Sequence, residues 1–170
     1  MAEAFCRVVD TVNEWVGRII SLLFIPLVLL VMIEVVSRYF FNKPTIWSWD
    51  VNIQLSAALV VMGGGYTLLY KGHVIVDIIV ERFPPRARAI VDMVTSLLFF
   101  LGIGVLLWLA IGEAKISIAT GERFTSLLEP PLGPIRTAVA VGFFLLLMQG
   151  IAKFIRDFLI ATKARRESAS

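Results

Sequence analysis

The chain has 170 residues, 58% hydrophobic and 17% charged, with a formal net charge of +3. A soluble domain is about 45–50% apolar and about 25% charged. Here the apolar excess sits in long blocks, so the composition points to an integral membrane protein of one domain. One cysteine, Cys6, excludes an internal disulfide, and one histidine, His73, excludes a site built from several histidines. The basic residues lie in loops beside apolar runs, as the positive-inside rule requires, and are no sign of nucleic-acid affinity.

Residues 3–18 set Phe5, Val8, Val9, Val12, Trp15, Val16 and Ile19 on a 3.6-residue stripe with polar residues opposite. The pattern predicts an amphipathic helix at the cytoplasmic surface, or one continuous with the first span. Arg7 and Arg18 are offset by Glu3, Asp10 and Glu14. A cleaved signal has a positive leading region, so the first apolar run is expected to stay as a helix. That span covers about 19–37 and contains Pro26. Its uncharged part, Ile19 to Ile33, falls short of the roughly 20 residues a crossing needs. The helix must therefore run through Glu34 toward Arg38.

A polar, aromatic turn follows, with Arg38, Tyr39, Phe40, Phe41, Lys43, Trp47, Trp49 and Asp50. Such rings suit headgroup depth. The second span, 51–70, is free of charge and carries Gly63-Gly64-Gly65, which would let backbones approach closely. The loop Lys71 to Arg88 holds an apolar run, Val74 to Val80, too short to cross; a short surface helix ending at Phe83-Pro84-Pro85 is expected. The third span is 92–112. The loop Glu113 to Pro134, with three prolines, is expected to be ordered by a partner or packed over the helices. The fourth span, 136–156, offers Ala138 and Gly142 as a packing face, and 163–170 reads as a frayed cytoplasmic tail.

Eleven Lys and Arg lie on the side of the termini and five on the other. This asymmetry predicts that both termini are cytoplasmic. The fold class is thus an all-α membrane protein with four transmembrane helices and an amphipathic N-terminal segment.

Glu34 and Arg38 have the i,i+4 order that favours pairing, and Asp50 and Gln54 repeat the spacing at the start of the next helix. A tight connection would bring the pairs to one depth. Glu34, Arg38, Tyr39, Trp47, Asp50 and Gln54 are therefore expected to pair the helices or to meet a partner subunit, with Arg38–Asp50 as the anticipated contact. His73 and Asp77 share a helical face, but a metal site needs three or four ligands; no metal or cofactor is expected. No serine-hydrolase, aspartyl or nucleotide-binding pattern is present, so no enzyme is expected. Ser56, the glycine triplet, Thr95, Ser96 and Gln149 are thin midplane chemistry for a carrier. A scaffold role is the first reading. A self-sufficient small homo-oligomeric channel or carrier is the alternative; it would need a polar stripe along one span.

Arg38-Tyr39-Phe40-Phe41-Asn42-Lys43-Pro44, Trp47-Ser48-Trp49-Asp50, the glycine-rich span, Gly72-His73-Val74-Ile75-Val76-Asp77 and Phe83-Pro84-Pro85-Arg86-Ala87-Arg88 occur in that order. The set resembles the small, DctQ-like membrane subunit of tripartite ATP-independent periplasmic (TRAP) transporters over about residues 18–160. The resemblance implies a large membrane subunit and a periplasmic substrate-binding protein as partners, in the bacterial inner membrane. It also implies import of a carboxylate or related organic acid on a cation gradient, usually sodium. The large subunit would carry the substrate and ion sites. Arg38, Tyr39, Trp47, Asp50, Gly72, His73 and Asp77 match the family pattern. Trp49 stands where a polar or acidic residue is common, and Asp50 where Glu is commoner.

Overall fold

The computed structural model describes residues 2–45, 47–70, 85–126 and 129–167, with side chains over 3–45, 47–70, 95–126 and 129–156. Five helices make up these residues: α1 (Ala2–Ser21), α2 (Phe24–Tyr39), α3 (Ser48–Leu69), α4 (Pro85–Thr120) and α5 (Gly133–Glu167). No strand occurs among them. As expected, four helical stretches are long and apolar enough to cross a membrane. The surface helix expected in 71–84 lies outside the described residues.

The helices differ from the expected spans in ways that have local causes. The first does not run unbroken from 19 to 37. Leu22 and Leu23 form a turn in which their N–H groups bond three residues back, to Ile19 O at 3.2 Å and Ile20 O at 2.9 Å. Pro26 has no N–H to give, and its ring would press on the carbonyl four residues earlier, Leu22 O. The chain tightens there and restarts as α2. The third helix passes Gly112 and runs on to Thr120. Charges at Glu113 and Lys115 end the apolar run, but both residues are good helix formers. What ends α4 is Gly121 at φ 61°, with the Glu122 N–H returning to Ser117 O at 3.2 Å. That is a glycine-terminated Schellman cap. The fourth helix likewise continues to Glu167, so most of the expected tail is helical.

The four long helices form an open row. α2 packs on α3, α3 on α5 and α5 on α4, whereas α2 and α4 share no comparable contact. The central α3–α5 pair is the most extensive. It depends on Gly142, where an added Cβ would lie 2.8 Å from Val61 Cγ1 and 2.9 Å from the Val61 carbonyl. Backbone cannot swing aside as a side chain can. Gly142→Val is therefore expected to force α3 and α5 apart, at about 1–3 kcal/mol. A lower unfolding midpoint in detergent would show it; an unchanged midpoint would remove Gly142 from the packing account. α4 meets α5 through Phe99 against Gly150, and through Phe100 edge-on to Phe154 at 5.9 Å. Three of the four spans are almost wholly unburied within the chain, and only the Gly133–Arg156 span, at 39%, is substantially covered. Leu97, Leu98, Leu101, Val105 and Trp108 of α4 all point outward. Such faces need lipid or protein around them.

Candidate functional site

The polar corner is built from the end of α2, the start of α3 and the segment between them. Phe40 N–H still bonds Val36 O, and Asn42 at φ 52° turns the chain so that Lys43 N–H reaches Ser37 O at 3.0 Å. Asparagine tolerates this left-handed conformation better than most residues. The returning chain brings Thr45 to Glu34. The Glu34 carboxylate accepts Arg38 Nη2 at 2.6 Å and Nε at 3.2 Å on one oxygen. On the other it accepts Thr45 N–H at 3.1 Å and the Thr45 hydroxyl. Its side chain is only 17% exposed, against 56% for Arg38. Glu34 is the hub, and Arg38 is its solvent-facing partner.

The expected Arg38–Asp50 contact does not form. Arg38 is engaged by Glu34, and Asp50 by a residue from the far end of the sequence: Ser126 Oγ donates to Asp50 Oδ2 at 2.5 Å. Asp50 is 3% exposed and lies in the first turn of α3, where the helix's free N–H groups favour a carboxylate. Gln54 is half-buried one turn on, and it is Ser126 rather than Gln54 that donates to Asp50. Tyr39 and Trp47 are exposed, as are Phe40, Phe41 and Trp49. The cytoplasmic-loop residues Gly72, His73 and Asp77 lie outside the described residues.

Ser126 arrives on a hairpin-like loop that the chain orders by itself. Phe124 N–H bonds Pro130 O at 2.9 Å and Leu132 N–H bonds Glu122 O at 3.0 Å. Arg136 clamps its base, forking onto Glu122 at 2.7 and 3.1 Å and reaching Glu113 at 2.9 Å. The loop thus ties the end of α4 and the start of α5 to the start of α3. Ser126→Ala would leave a buried carboxylate short of a donor, a cost of about 1–3 kcal/mol. Faster amide exchange at the first turn of α3 is the expected result; exchange equal to the parent protein would show the bond to be idle.

A second polar cluster, at the other end of α3 and midway along α5, joins residues far apart in sequence. Asn13 Nδ2 donates to Gln149 Oε1 at 2.8 Å and to Val9 O at 3.1 Å. Gln149 Nε2 donates to Asp10 Oδ1 at 2.9 Å, which also takes Arg156 Nη2 at 2.7 Å. Asn13 and Gln149 are each 1% exposed. Asn13 Oδ1 lacks a conventional donor but lies against Gly65, in the direction a Cβ would take. Gly65 is thus the member of the triplet that the packing requires; at Gly63 an added Cβ meets nothing. Gln149 stands in the sequence among a few midplane polar groups, with nothing beside it to name its partner. Asn13 sits at the boundary between the apolar and charged strips of α1, which is the one signal that could have found it.

Among the described residues no group of three or more His, Cys, Asp or Glu side chains could hold a metal ion. Among the described residues, both polar clusters join helix to helix or loop to helix. The fold and both clusters define a multi-pass α-helical membrane protein whose polar groups serve assembly. A family model extends this: residues 27–159 match the DctQ component of tripartite ATP-independent periplasmic transporters. The chain belongs to that family, the small component of these transporters, which is a family of transporter components and not of enzymes. Direct comparison with curated proteins finds no match. The matched region holds α3, α4 and all but the first turn of α2, while α1 precedes it.

Proposed function

We propose that this chain is the small scaffold subunit of a cation-gradient-driven TRAP transporter importing a carboxylate or related organic acid. It works with a large membrane subunit that carries substrate and ion, and with a periplasmic substrate-binding protein. It sits in the bacterial inner membrane with both termini cytoplasmic, and sodium is the coupling ion in this reading. The family match over 27–159 carries the proposal. The lysine and arginine asymmetry supports the orientation. In this orientation the corner of Glu34 and Asp50 faces the periplasm and the Asn13–Gln149 cluster lies toward the cytoplasm.

The open row suits a brace better than a pore. Among the described residues the four helices side by side enclose no channel, and the surface of the row that α1 does not cover is free to lie against another membrane protein. Tyr39, Trp47 and Trp49 stand exposed at the corner, where they can meet the large subunit at headgroup depth. Glu34 and Asp50 hold the backbone that presents them.

Co-expression with the large subunit tests the reading. A tag on this chain should recover the large subunit in a stable complex from detergent extracts. Recovery of this chain alone, under conditions that keep it folded, would contradict the scaffold role.

A further inference from the structure

Helix α1 has three faces. Cys6, Val9, Asn13 and Gly17 turn inward onto α3 and α5. Glu3, Arg7, Thr11, Glu14 and Arg18 form a polar strip beside them. Phe5, Val8, Val12, Trp15 and Ile19 form the third face, apolar and exposed, with Val8 at 63% and Trp15 at 62%. One flank seated on protein, one polar and one apolar is the arrangement of a helix at a boundary between water and hydrocarbon.

The contacts of α1 also give its direction. Cys6 Sγ meets Ala152 O on α5 at 3.6 Å, and Asp10 meets Gln149 and Arg156. Asn13 bridges Gln149 of α5 and Gly65 of α3. Gly17 packs on Tyr66, and Glu14 accepts the Tyr70 hydroxyl at 3.4 Å. Twelve residues of α1, Cys6 to Gly17, therefore pass from one helix to the next, while the contacts stay within Met148–Arg156 on α5 and Gly65–Tyr70 on α3. α1 runs mainly across these helices. Length agrees: Glu3–Tyr39 spans 37 residues, about 55 Å if straight, against a hydrocarbon core of about 30 Å.

We propose that α1 is a lipid-binding element lying in the plane of the membrane, and that the Asn13–Gln149–Asp10–Arg156 cluster is the seat that fixes its rotation. A helix this apolar on its outer face would roll that face inward if apolar burial alone placed it. Instead the buried flank carries Asn13 and Asp10, whose side chains reach Gln149 and Arg156 of α5. This directs Phe5, Val8, Val12, Trp15 and Ile19 outward, continuous with the lipid-facing surface of the spans. The polar strip carries two acids and two bases, so apolar area rather than charge attraction binds the lipid. Uncharged and anionic membranes should serve alike.

Nitroxide labels on the full-length protein test this. Single cysteines would replace Val8, Val12, Trp15 and Ile19, or Arg7, Thr11 and Arg18, in a Cys6→Ala background. The labelled protein is placed in vesicles of phosphatidylcholine alone, or with phosphatidylglycerol. The first set should favour oxygen over a water-soluble nickel reagent, all at about 5–10 Å depth, and equally in both lipids. The second set should favour the nickel reagent. A depth changing by about 16 Å between Val8 and Ile19 would mean that α1 crosses the membrane, and would overturn the proposal. So would poor access of both reagents to the first set, the sign of a protein covering it. The added Asn13→Ala substitution should mobilise labels at Val8 and Val12 but not one at Val60 of α3; unchanged mobility would refute the seat.

Discussion

Gly65→Val is expected to lower stability by about 3 kcal/mol, combining overpacking with the loss of a buried polar network. The new side chain would enter the space of the Asn13 amide, and the Leu145 backbone 3.5 Å away closes the other exit. Asn13 must leave Gln149, and Gln149 then holds Asp10 with half its amide unsatisfied. Gly63→Ala, two residues away, meets nothing and improves helix propensity, so it should leave the midpoint unchanged or slightly raised. Thermal unfolding of the two variants in one detergent checks the contrast. Equal effects would mean that the triplet acts through helix propensity and not through the Asn13 contact.

Glu34→Ala should be the most damaging change at the corner. It removes the acceptor for both Arg38 donors and both Thr45 donors, and hydrogen bonds to a charged group contribute about 1.5–3 kcal/mol each at most. The returning chain at Thr45 would be freed, with faster amide exchange there and a lower yield of complex. Arg38→Ala should do less, because Arg38 is more than half exposed and Thr45 keeps its partner. Glu34→Gln should fall between. If Arg38→Ala proves worse than Glu34→Ala, the hub is misassigned. A double-mutant cycle of Arg38 with Asp50 should give a coupling near zero, since their partners are Glu34 and Ser126.

The number of membrane-crossing helices was legible because apolar runs of crossing length are a direct imprint of the bilayer. So was the Glu34–Arg38 pair, a local i,i+4 relation on one helix. Helix ends were less so: charges marked where α4 leaves the apolar region, but Gly121 marks where it stops. The partner of Asp50 was out of reach because Ser126 is 76 positions away, on a loop whose path depends on Arg136. Asn13 and Gln149 are 136 positions apart and meet only because α1 crosses α5. The order of helices in the row has no local signature either. The spans of α2 and α4 are somewhat more apolar than those of α3 and α5, but it is close approach at Gly142 and Gly65 that decides which helices are central.

In the proposed reading this chain supports transport without performing it. Uptake into sodium-loaded and sodium-free proteoliposomes, with the periplasmic binding protein and an organic-acid substrate supplied outside, tests it most directly. Vesicles holding this chain and the large subunit should take up substrate along an inward sodium gradient, and vesicles holding this chain alone should show none. Substrate-dependent uptake by this chain alone would make it a carrier in its own right and rule out the scaffold role.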